Sequence, residues 1–223
     1  MGLPLVSIPV IASFLGVETA VVIMAAPTVI TNIWMLWEHR TAAEQTRELP
    51  VLLLTGAIGT VAGTVILRTA DPRWLAVGLA TIIFSYLALR LAHPELALPP
   101  SITRRLSPGV GLAAGLAQGA TGISGPVVST YLHAFRLPPR AFLFSTNAMF
   151  QVFASVQIVA FTVTGLYRGR VVHTLLAMAP IAIVFPIGLR VARRMDVKRF
   201  DTWILALLFI SGVKQVLDAL GVT

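Results

Sequence analysis

The chain has no cysteine, so disulfides, thiolate metal sites and cysteine nucleophiles are excluded, and the redox compartment is left undetermined. Charge is the second shortage: 12% of the 223 residues are charged, against about 25% in an ordinary soluble domain. Catalytic signatures are missing too. H-E-x-x-H, G-x-x-x-x-G-K-[ST] and G-x-S-x-G do not occur, which removes the simple forms of a metalloprotease, a nucleotide-driven pump and a serine hydrolase. No apolar span carries the paired acids a metal-dependent membrane enzyme needs. The sequence therefore reads as a non-enzyme with no metal site and no cofactor. The start, MGLPLVSIPV, lacks the basic region of a cleavable signal peptide.

What is present is apolar: 57% of residues are hydrophobic and the mean hydropathy is +0.86. A membrane span needs about 20 apolar residues at about 1.5 Å each. Val21–Trp37, Pro50–Leu67, Trp74–Leu91, Ala141–Leu166, Val171–Leu189 and Phe200–Val213 read as spans. Met1–Leu15 and Leu106–Phe135 are ambiguous. The fold class is an all-α polytopic membrane protein. The net charge of +8 does not indicate a nucleic-acid partner, because the basic residues sit in short loops between apolar segments. The partner implied is the lipid bilayer.

Within Leu106–Phe135 lies GLAAGLAQGATGISGP, Gly111 to Pro126. Gly111, Gly115 and Gly119 recur every four residues, which suits close helix packing. Gly122, Ser124, Gly125 and Pro126 then arrive together and break the helix, since proline lacks an N–H and clashes one turn back. A break at membrane depth is tolerated only where the freed backbone groups meet protein, water or a ligand. Ser124 or Gly125 is placed to cap a second half-helix with Pro126 at its first position. The amides of Val127 and Val128 then lack intrahelical acceptors, and the positive helix pole attracts an anion.

Two repeats are visible. A shift of 122 aligns Pro4 with Pro126, Ser7 with Ser129 and Leu15 with Leu137; a shift of 125 aligns Gly63 with Gly188, Arg68 with Arg193 and Asp71 with Asp196. We divide the chain into a first repeat, 1–98, and a second, 106–223, joined through the proline-bearing connection 92–105. If Leu106–Phe135 crosses the membrane once, the 17 basic residues split eight to nine and give no orientation. If it enters and returns, turning at Gly122–Pro126, they split twelve to five, and the richer face is cytoplasmic. Three full spans per repeat then make the repeats inverted, each a re-entrant or broken hairpin plus three transmembrane helices.

Candidate ligand groups are Gln118, Thr121, Gly122, Ser124, Gly125, Pro126, Val127, Val128 and Ser129 at the break, with Ser7 as the first-repeat counterpart. Thr28 and Asn32, and Asn147 and Gln151, are pairs four residues apart that share a helix face. Thr31, Ser145, Thr146 and Gln157 are further polar residues in apolar runs, and any of these groups also suits an interhelical hydrogen bond. Glu18, Asp71, Asp218 and Lys214 fall at span ends, where solvation is the default. His133 closes the hairpin and is a candidate for proton handling.

GVGLAAGLAQGATGISGPVVSTYLHAFRLPPRAFLFSTNAMFQVFASVQI resembles the repeat core of the TauE/SafE family of sulfite exporters: a glycine-rich run into a G-x-x-G-[GP]-x segment, then a polar-dotted span. The resemblance covers most of the chain, strongest from Gly109 to Gln157. It implies secondary transport of a sulfur oxyanion or organosulfonate across the inner (plasma) membrane by a multi-pass protein. The family usually places a glycine-rich half-helix before the position of Pro4, so the first hairpin reads as truncated at its first arm. A small anion is the expected partner, and a coupling proton or ion and a homo-oligomer are compatible with the sequence. The alternative is a non-transporting membrane assembly or scaffold protein whose glycines build a helix interface; a membrane enzyme acting on lipid-borne groups has no residues to carry it.

Overall fold

A computed structural model describes residues 3–40, 48–92, 100–178 and 197–220. Among these residues every regular element is a helix: α1 (Leu3–Leu15), α2 (Val17–His39), α3 (Leu49–Thr69), α4 (Pro72–Ala92), α5 (Pro100–Thr121), α6 (Gly125–His133), α7 (Pro139–Thr164), α8 (helical over 171–178) and α9 (Val197–Ala219). Glycine and proline place the boundaries. Gly16 turns α1 into α2 at φ 78, Pro139 sits in the first turn of α7, and Gly165 ends α7 in the left-handed region at φ 77.

Val17–Glu38, Leu49–Thr69 and Pro139–Thr164 are long and apolar enough to cross a membrane, and Pro72–Ala88 is a shorter apolar helix segment. These cover the expected spans Val21–Trp37 and Pro50–Leu67 and most of Ala141–Leu166 and Trp74–Leu91. Helix α9 contains the expected span Phe200–Val213. The expected span Val171–Leu189 lies mainly outside the described residues. Gly188, Arg193 and Asp196 of the repeat comparison lie outside them too, as does 93–99 of the 92–105 connection.

The most extensive packing is α3 against α5, and glycine is its cause. A Cβ added at Gly115 would fall onto the Gly56 carbonyl; one at Gly119, onto the Thr60 carbonyl. From the other side, Gly59 and Gly63 face the carbonyls of Leu112 and Leu116 in the same way. The two backbones touch with no side chain between them, the small-residue seam expected from Gly111, Gly115 and Gly119. Contact positions rise together along both helices, so α3 and α5 run parallel. Helix α7 joins them with its Phe153 ring laid on Gly56, and Gln157, one turn further along, meets the backbone of Gln118 and Gly119. It therefore rises in the same direction.

Between α5 and α7, α6 runs back. Near the turn Ser124 bonds to Gln118, whereas nearer the base Tyr131 bonds to Ser107 (2.9 Å) and to the carbonyl of Thr103. The chain thus reverses at Gly122–Ser124 and returns toward the end of the bundle from which α5 set out. This is the returning turn that the charge count favoured over a single crossing.

Two further pairs run antiparallel. Helices α4 and α9 meet through Phe84 and Phe209, rings edge-on at 6.1 Å, while Val77 and Thr81 share a groove with Val216 and Leu220. Helix α2 packs along α7, and Glu18 near the start of α2 pairs with Arg170, just beyond the end of α7, at 2.6 Å. Beside that ion pair, Tyr167 packs edge-on against Phe161, and burial pushes its phenol up to about 12. It is a neutral packing group at any physiological pH.

Candidate functional site

The candidate site is the tip of the α5–α6 hairpin, and local backbone chemistry forms that tip. Gly122 adopts φ 70, a left-handed conformation that glycine takes without penalty. A Cβ there would also strike the Cδ1 of Ile8 on α1. Thr121 finishes α5 by donating its hydroxyl proton to the Ala117 carbonyl at 2.8 Å, and its oxygen accepts the Ile123 N–H at 3.4 Å. Ile123 is then buried in an apolar cluster with α1 and α2 residues such as Ile8 and Val21. Further along, Val128, Tyr131 and Leu132 belong to a second cluster with α3, α5 and α7. The hairpin spans both cores, with its tip held between them.

Around the tip, three neutral side chains close a buried network. The Ser124 hydroxyl donates to Gln118 Oε1 at 2.7 Å. Gln118 Nε2 donates to Gln157 Oε1 at 3.2 Å, and Gln157 Nε2 returns a bond to the Gln118 carbonyl at 2.9 Å. Ser124 and Gln157 are each 1% exposed and Gln118 is 6% exposed, so none of these bonds competes with bulk water. In the sequence Gln157 is one more amide in an apolar run. Nothing local distinguished it, because its partner lies 39 residues away.

Two expectations about the half-helix are corrected. Ser124 occupies the N-cap position of α6 but makes no capping bond with its side chain, which points to Gln118 instead. Gly125 is the first helical residue and Pro126 the second. The Val128 amide is also not free: it donates to the Ser124 carbonyl at 3.0 Å. At the start of α6, no backbone bond among the described residues takes up the amides of Gly125 and Val127, and Pro126 has none to offer. Helix α6 therefore begins with two unused donors beside the amide network.

The remaining candidates divide by where their hydrogen bonds go. Thr28, Ser129 and Asn147 satisfy themselves on their own helices, bonding the carbonyls of Met24 (2.7 Å), Gly125 (2.6 Å) and Leu143 (2.6 Å). Ser7 is half-buried on α1. Asn32 and Gln151 behave differently. Asn32 Nδ2 and Gln151 Oε1 are buried without a partner, as is Thr146 Oγ1, although Gln151 Nε2 reaches Ser155 at 3.2 Å. In the antiparallel α2–α7 pairing, Asn32 and Gln151 lie at similar depth, counted from the Glu18–Arg170 end. An unpaired buried polar atom is costly, and sites retain such atoms where a ligand or water completes them.

The charged candidates stay at the ends. Lys214 and Asp218 pair with each other at 3.1 Å, and Asp71 is exposed. His133 is exposed at the base of the hairpin, with its ring 4.4 Å from that of Phe142, a full helix length from the tip. Proton handling at the tip does not fall to it.

A family model described as sulfite exporter TauE/SafE matches residues 1–215 of the chain. No curated protein and no solved structure matches it.

Proposed function

From the premise that the chain belongs to the sulfite exporter TauE/SafE family, whose model covers nearly its whole length, we propose that it is a secondary transporter that carries a sulfur oxyanion or an organosulfonate outward across the inner membrane. The anion rests at the tip of the α5–α6 hairpin. The observation that carries this reading is the start of α6, where the amides of half-buried Gly125 and Val127 and the positive helix pole meet a buried network of uncharged hydrogen-bonding side chains. Asn32 and Gln151 supply the unpaired donor and acceptor that orient the ligand. The repeats 1–98 and 106–223 are inverted and rock about this point for alternating access. Support for the inversion comes from the antiparallel pairing of α2 with α7 and of α4 with α9, helices in matching positions of the two repeats.

A scaffold role has less to draw on. The glycines that would bind a partner helix are already filled within the chain by α3 against α5. Proteoliposomes loaded with sulfite test the assignment. Wild type is expected to show saturable efflux above empty vesicles. Ser124→Ala and Gln118→Ala should each slow it about fivefold or more, the worth of one buried hydrogen bond of about 1 kcal/mol. Unchanged efflux in both variants removes the anion from the tip, and wild-type efflux no faster than in empty vesicles removes transport itself.

A further inference from the structure

The site lacks charge as well as containing polar groups. Every buried polar side chain among the described residues is uncharged: the threonines, serines, asparagines and glutamines from Thr28 to Gln215. The titratable and charged residues on the helices around the tip all sit toward their ends. They are Glu18, Glu38 and His39 on α2, Arg68 on α3, Arg73 and Arg90 on α4, Arg104 and Arg105 on α5, His133 on α6, Arg140 on α7, and Lys198, Arg199, Asp201, Lys214 and Asp218 on α9, while the phenols of Tyr86 on α4 and Tyr131 on α6 can supply no positive charge. Helix α1 has none. The sequence extends this beyond the described residues, because 179–189 contains no ionisable side chain.

Among the described residues, a transported anion therefore meets no cation at mid-depth. What it meets is the pole of α6, worth about half an elementary charge, and neutral donors. That suffices for one diffuse negative charge, whereas a second would be desolvated without compensation. The hydrogen-bonding capacity agrees with this count. Asn32 Nδ2 and the amides of Gly125 and Val127 are donors in want of an oxygen, while Gln151 Oε1 is a buried acceptor in want of a proton. A fully ionised oxyanion offers oxygens only. A protonated one offers oxygens and a hydrogen.

We infer that the site accepts an oxyanion only in its singly charged form, so that a diprotic substrate crosses with one proton still attached. The proton rides on the ligand and needs no titratable side chain of the protein. This rests on the transport reading, and its test separates the two.

The full-length protein in proteoliposomes, at equal pH on both sides and with empty-vesicle leakage subtracted, is given three probes at fixed total concentration. Sulfite passes from one negative charge to two across its second ionisation, methanesulfonate keeps one throughout, and sulfate keeps two. Sulfite flux is expected to fall about tenfold for each pH unit above that ionisation, following the monoanion. Methanesulfonate flux should stay level and sulfate should not cross. Sulfite flux that holds or rises through the ionisation overturns the inference, and so does sulfate crossing at a comparable rate. A parallel fall with methanesulfonate also overturns it, because the protein would then be the titrating partner. Flux of methanesulfonate with any of these failures leaves transport standing and the inference refuted, whereas no flux of any probe refutes both.

Discussion

Gly115→Ala is expected to destabilise the protein by about 2 kcal/mol or more, while Gly109→Ala on the same helix is neutral or stabilising by up to about 1 kcal/mol. The chemical change is identical, one methyl group on α5. At Gly115 that methyl meets the Gly56 carbonyl and backbone of α3, which have no flexible side chain to give way. The two helices must move apart along the whole seam, and the Phe153 ring packed on Gly56 loses its bed with them. At Gly109 nothing lies within 4 Å of the added Cβ, so only the helix propensity of alanine remains. Thermal unfolding of the two variants in detergent, against wild type, reads the difference. Equal shifts would mean that α3 and α5 do not meet backbone to backbone.

That seam was legible in the sequence because its cause is periodic and local. Gly111, Gly115 and Gly119 mark a smooth helix face whatever they pack against. The reversal at Gly122–Pro126 was legible for a similar reason: proline removes a donor wherever it stands, and the charge count then chose between crossing and returning. What could not be read was how the tip spends its hydrogen bonds. Serine before a helix usually caps it, yet Ser124 turns to Gln118, because Gln157 on α7 fixes the Gln118 amide where it can accept. The choice between those partners is made by tertiary packing across 39 residues, so no window of sequence contains it. The same packing brought Gln157 to the tip, whereas Val128 lost its free amide locally, to the Ser124 carbonyl four residues back. Asn32 and Gln151, singled out as polar residues in apolar runs, proved to be distinguished by what they lack, a partner.

Gln157→Leu should have the largest functional effect of any single change near the tip. Leucine is close in size and keeps α7 apolar, but it removes the acceptor for Gln118 Nε2 and the donor to the Gln118 carbonyl. The Gln118 amide is then free to rotate, and the Ser124 hydroxyl it anchors no longer holds the start of α6 in place. These two bonds, about 1 kcal/mol each, pre-organise the tip, so their loss lowers affinity for whatever the tip holds by up to about thirtyfold. Some stability is lost as well, since a buried amide is left partly unsatisfied.

Sulfite binding to the purified full-length protein, followed by titration calorimetry in detergent at a pH where the monoanion predominates, tests the site most directly. Gly109→Ala serves as the folded control with an intact tip. The expected result is a saturable isotherm for wild type and Gly109→Ala and binding weaker by up to about thirtyfold for Gln157→Leu. Binding by Gln157→Leu as tight as wild type, or no saturable binding by wild type, would contradict an anion site at the hairpin tip.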